Sequence, residues 1–95
     1  MKDNRVPADQ EFVVYSERYV YLGGKIEGGK LSLESEVYGD DYDSEEHMDF
    51  SDEDTKRLFE IISFEDLIEL LKEKRLIGFD AFLKEHDIHP QTIVF

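Results

Sequence analysis

The chain has no cysteine, which excludes disulfides, thiolate zinc centres and cysteine nucleophiles together. No apolar run approaches the about 20 residues of a membrane span. The N-terminal MKDNRVPADQEF has no apolar core of the kind a secretory signal carries, so a cytoplasmic location is expected. Cations are scarce: 11 Lys and Arg stand against 24 Asp and Glu, a net charge of −13. Phosphate recognition depends on cationic groups that displace counterions, which disfavours direct binding of nucleic acid. GxSxG, P-loop, GxGxxG and HExxH patterns are all missing, so neither an enzymatic site nor a cofactor is expected.

What is present suffices for one modest core. The 95 residues include 40% hydrophobic side chains, with seven Phe and five Tyr, which fits a single folded domain rather than a disordered acidic chain. The charge is uneven. Residues 1–54 hold five basic and sixteen acidic groups (5 − 16 = −11), and residues 55–95 hold six and eight (6 − 8 = −2). The densest part is Asp40 to Asp54, DDYDSEEHMDFSDED, with nine carboxylates and no Lys or Arg. Crowding like charges costs free energy, and a cationic protein is the expected partner for such a surface.

Residues 1–10 read as a polar, flexible arm. Phe12 to Tyr15 is a β-type run, interrupted by a turn or bulge at Ser16, Glu17 and Arg18 before a second run starts at Tyr19. Gly28 and Gly29 predict a tight hairpin, because a type I′ turn needs positive φ at both central residues. The implied register sets Glu27 against Lys30, Ile26 against Leu31, Gly24 against Leu33, Leu22 against Ser35 and Val20 against Val37. It gathers Val20, Leu22, Ile26, Leu31, Leu33 and Val37 on one face. Tyr19, Tyr21, Lys25, Glu27, Lys30, Ser32, Glu34, Glu36 and Tyr38 fall on the other, so the sheet has one wet side. A turn at Gly23 and Gly24 is the lesser alternative, these glycines marking instead a bulge or a strong twist.

Gly39 to Glu45 has loop composition, and Glu46 to Phe50 fits a short edge strand with Met48 and Phe50 inward. Ser51, followed by Asp52, Glu53 and Asp54, caps a helix to about Ile62, the acids favoured by the helix dipole. That helix offers Leu58, Phe59, Ile61 and Ile62 to the core, with a Glu53–Arg57 pair on its surface. Ser63 starts a second helix in the same way, with Asp66 in its first turn and Phe64, Leu67, Ile68, Leu70 and Leu71 as the apolar face. Lys72, Lys74 and Arg75 occupy its last turns, and Gly78 closes it. A third, short helix from about Phe79 to His86 adds Phe79, Phe82 and Leu83. Pro90 stops it, and Thr92 to Phe95 is a β-type tail.

Strands followed by helices without βαβ alternation predict an α+β fold, an antiparallel sheet with two to three helices on one face. The other face then presents Tyr19, Tyr21 and Tyr38 with Glu34 and Glu36, and tyrosine adds contact area at low entropic cost. Asp41, Asp43 and Glu45 imitate the first ligands of a calcium loop. Glu46 replaces the glycine such a loop needs, and Asp52 stands where a longer Glu is usual, so no metal site is expected. His86 and His89 share no helical face, whereas His47 among carboxylates should hold its proton more tightly.

The stretch YDSEEHMDFSDEDTKRLFEIISFEDLIELLKEKRLIGFDAFLKEHDI, Tyr42 to Ile88, resembles in size, charge and texture the small acidic immunity proteins of contact-dependent growth inhibition and other bacterial polymorphic toxin systems. The resemblance implies binding to one cognate toxin, commonly a nuclease, and neutralising it by covering its active site. From the residues themselves, the expected partner surface is Asp40, Asp41, Tyr42, Asp43, Glu45, Glu46 and Asp49, helped by Glu34, Glu36, Tyr21 and Tyr38. The alternatives are an intracellular acidic interaction domain without a toxin partner, or a weak cation-binding module. A monomer or weak homodimer is expected.

Overall fold

A computed structural model describes residues 6–39 and 43–94. Five strands form one antiparallel meander in the order β1-β2-β3-β4-β5: β1 Gln10–Glu17, β2 Val20–Glu27, β3 Lys30–Tyr38, β4 Asp43–Asp49 and β5 Gln91–Val94. Two helices, α1 Asp52–Ile61 and α2 Phe64–Glu85, lie between β4 and β5 in the chain. The architecture is α+β, as the order of periodicities requires. The β-type tail is the fifth strand, pairing with β4 from Asp49↔Gln91 to Glu46↔Val94.

The hairpin register of β2 and β3 follows the alternation residue for residue, from Glu27↔Lys30 to Val20↔Val37. Gly28 and Gly29 take φ of 61° and 78°, the left-handed pair that a two-residue turn with the sheet's own twist demands. A bulge does occur near Gly23 and Gly24, but in the facing strand. Val13 pairs with Gly23 and Tyr15 with Leu22, leaving Val14 as the extra residue. The bulge turns Val14 and Tyr15 both toward the core, where Val14 is buried and Tyr15 packs against it. The first hairpin then turns at Arg18 and Tyr19, since Glu17 already pairs with Val20. Tyr19 therefore sits in a turn and not on the strand face.

The core lies between the sheet and the helices. Leu22, Ile26, Leu31, Leu33, Met48 and Phe50 meet Leu58, Phe59, Leu67, Leu71, Leu76, Phe79, Leu83 and Ile88, all buried. Each such side chain contributes about 1.5–3 kcal/mol. Val6 and Phe12 also pack against this core, and the Asp9 carboxylate accepts from Gly28 N at 3.1 Å. Residues 1–5 of the expected arm lie outside the described residues.

Both caps form as read: Ser51 Oγ accepts from Asp54 N and Ser63 Oγ from Asp66 N, each at 3.1 Å. Thr55, buried, ties α1 to the sheet. Its Oγ1 donates to Ser51 O at 2.7 Å and accepts from Leu31 N at 3.0 Å. Two surface expectations for α1 change: Arg57 reaches Asp54 at 3.9 Å instead of Glu53, and Ile61 is 41% exposed.

The break between the second and third helical pieces falls at Arg75 (φ 60°, ψ −170°), not at Gly78. Gly78 lies within the helix and makes the break sterically feasible. A Cβ there would stand 2.3 Å from Lys74 Cβ, whereas i,i+4 neighbours on a straight helix are about 5–6 Å apart. Arg75 itself lies 5.5 Å from the Tyr15 ring centroid, a cation–π contact to β1. Helix α2 ends at Glu85, five residues before Pro90. Asp87 takes φ 57°, Ile88 N donates to Leu83 O at 3.0 Å and Asp87 N to Lys84 O at 3.3 Å. That is a Schellman stop, with buried Ile88 as its apolar lock.

Candidate functional site

The helices cover one face of the sheet and leave the other open. The strand expected at Glu46 to Phe50 starts instead at Asp43 and is not an edge strand. From Asp43 it is the fourth of five strands, with β3 on one side and β5 on the other. Its residues are poor β-formers, but Met48 and Phe50, both buried, anchor it by alternation. Tertiary packing thus overrides local propensity. Alternation then sends Glu45, His47 and Asp49 to the open face and Ser44, Glu46 and Met48 to the helix side. Glu46, opposite Ser35 and Val94, is separated from the other candidates.

On the open face the register brings three carboxylates and an imidazole together. Glu36 faces Glu45 and Glu34 faces His47 across β3 and β4. His47 Nε2 is 2.6 Å from Glu45 Oε2, and the Tyr38 hydroxyl donates to Glu36. Tyr21 stands opposite Glu36 on β2, with its hydroxyl lying over Gly23. Asp49 faces Ser32 one pair further along. Tyr21, Glu34, Glu36, Tyr38, Glu45 and Asp49 thus share one surface. The backbone of Asp43 pairs with Tyr38. Asp40, Asp41 and Tyr42 lie outside the described residues.

The electrostatics reflect this crowding. The carboxyl of Glu36 is raised above its ordinary 4.5, chiefly through a hydrogen bond with the Glu34 carboxyl. Burial and the charges of Glu34 and Glu45 push the same way, while His47 opposes them. His47 is raised above 6.5, first by its bond to Glu45. Burial works against that, and the charges of Glu34, Glu45 and Asp49 support it.

An open hollow of about 770 Å³ lies beside this cluster, bordered by Glu11, Val13, Tyr21, Lys25, Glu34, His47 and Asp49. Val13 on β1 and Ile93 on β5, 58% and 38% exposed, give the acidic surface apolar flanks. The partner surface expected from the sequence omits Val13, Lys25, His47 and Ile93, although the same reading sets Lys25 on the wet face and His47 among the carboxylates. The signal for His47 was the alternation of Met48 and Phe50, extended backward by one residue.

Chemically, the surface offers negative charge, two tyrosine rings and hydrogen-bond acceptors. One ligand atom each from Glu34, Glu45 and His47 lies within 4.8 Å of the others, a set of two oxygens and one nitrogen that suits a divalent cation. No protein-family profile, curated protein sequence or solved structure matches this chain. Among the described residues no helix is long and apolar enough to cross a membrane.

Proposed function

We propose that this chain is a protein-binding inhibitor whose open acidic sheet face occupies a cationic cleft on a partner, in the manner of an immunity protein covering a toxin nuclease. The observation that carries the reading is the pairing of Glu36 with Glu45 beside Glu34, on a face that no helix covers. Like charges placed directly opposite one another destabilise a sheet. A cationic partner turns that cost into attraction. Carboxylates held where phosphates would otherwise lie block a nuclease without any chemistry, and Tyr21 and Tyr38 supply contact area at the same surface.

The test is association with the protein encoded beside this chain's gene. A stable complex is expected on size exclusion, with an association rate that falls steeply with salt. The triple substitution Glu34→Gln, Glu36→Gln and Glu45→Gln should slow association about tenfold or more. Glu46→Gln, on the other side of the sheet, should leave the rate unchanged. Equal rates for the triple variant and the parent protein, or a neighbouring gene that encodes no secreted toxin, would overturn the reading.

A second reading, binding of a divalent cation, is favoured by one observation, the convergence of Glu34, Glu45 and His47. Calorimetric titration with zinc separates the two. Heat that is lost in His47→Gln supports the cation, and a flat titration removes it.

A further inference from the structure

The two outer strands of the sheet are guarded very differently. β1 carries the Val14 bulge and the charges of Glu11 and Glu17, and α2 packs beside it. β5 reads QTIV. It has no charge and no proline, its register with β4 is unbroken, and all four residues are exposed. A bare edge of this kind presents unpaired N–H and C=O groups, a template that proteins normally blunt with charge, proline or a bulge.

The neighbourhood of that edge selects what can add to it. A strand laid outside β5 stands two strand spacings, about 10 Å, from β4. Backbone to backbone that slightly exceeds the Debye length of about 8 Å at physiological salt, but a long lysine or arginine side chain leaning across β5 brings its charge within that distance of Glu45 and Asp49. Val94, 67% exposed on the opposite side from those carboxylates, gives its apolar residues something to cover. A second copy of this chain would bring its own −13 charge against the same field.

We infer that β5 is the docking edge for an extended cationic segment of the partner protein, which joins the sheet as a further strand and directs alternate lysine or arginine side chains toward the β4 carboxylates. This rests on the acidic-binding reading above and specifies its geometry: backbone pairing for affinity, charge for choice of partner.

The experiment uses the whole chain and two synthetic peptides of equal length and charge, one alternating lysine with valine and one alternating lysine with proline, which cannot join a ladder. The lysine–valine peptide should bind at least about tenfold tighter by calorimetry and slow amide hydrogen exchange across Gln91 to Val94. Val94→Lys, at an exposed position, should abolish that advantage while the circular dichroism spectrum stays unchanged. Equal binding of both peptides without β5 protection overturns the edge assignment and leaves the acidic face standing. Binding of neither overturns both. A dimer by sedimentation, with β5 amides already protected in the protein alone, would assign the edge to a second copy and overturn the inference.

Discussion

Glu36 on β3 and Glu45 on β4 stand directly opposite each other on the open side of the sheet, two carboxylates in register where a sheet gains most from opposite charges. The raised carboxyl of Glu36 records the same conflict. The fold tolerates this pair and is not stabilised by it.

Removing the conflict should therefore help the isolated protein. Glu36→Gln is expected to raise the urea midpoint at neutral pH, a gain in stability of about a few tenths of a kcal/mol. The gain should vanish once pH falls below 4.5, where the carboxyl is protonated in both states. A loss of stability at neutral pH would show that the Tyr38 bond to Glu36 outweighs the repulsion.

Acidification from neutral pH should stabilise the fold through His47. Its pKa is higher folded than unfolded, so its contribution is fully present below 6.5 and is lost as pH rises through the raised folded value. Glu36, also raised, acts in the same direction in a lower window that opens at 4.5. Urea titrations across the His47 window should show stability falling as pH rises. His47→Gln should flatten that slope, and NMR titration of the His47 ring gives the pKa directly.

The kink in α2 reverses two ordinary expectations of helix propensity. Ala normally exceeds Gly in a helix by about 1 kcal/mol, but Gly78→Ala should destabilise by about 1–3 kcal/mol, because its Cβ meets that of Lys74. At Arg75, where φ is 60°, Arg75→Gly should be more stable than Arg75→Ala, the strain there being worth about 1–3 kcal/mol. Thermal unfolding of the three variants checks both orders.

Thr55→Val keeps the side-chain volume but leaves Leu31 N–H without its partner in the core. The expected cost is about 1–3 kcal/mol. Thr55→Ser, which retains the acceptor, should lose clearly less. Chemical denaturation distinguishes the two.

The hairpin at Gly28 and Gly29, its register and the two serine caps were legible in the sequence because each depends on neighbours a few residues away. Positive φ at two glycines, alternation over eight residues and a hydroxyl three residues before an amide are local demands. The charge of the Asp40 to Asp54 stretch was equally plain. Its conformation was not, since DSEEHMD has weak β-propensity and becomes a strand only because Met48 and Phe50 are claimed by a core assembled from distant elements. That same long-range pairing put Glu45 opposite Glu36, brought His47 beside Glu34 and sent Glu46 to the other side. The helix break moved from Gly78 to Arg75 for a related reason, the bend being fixed by how α2 meets Tyr15 and the core, with the glycine making room. Composition and short-range pattern thus determined that an acidic α+β domain with one wet sheet face would form. Only tertiary packing decided which carboxylates share that face, because a strand's register, one residue either way, exchanges its two sides.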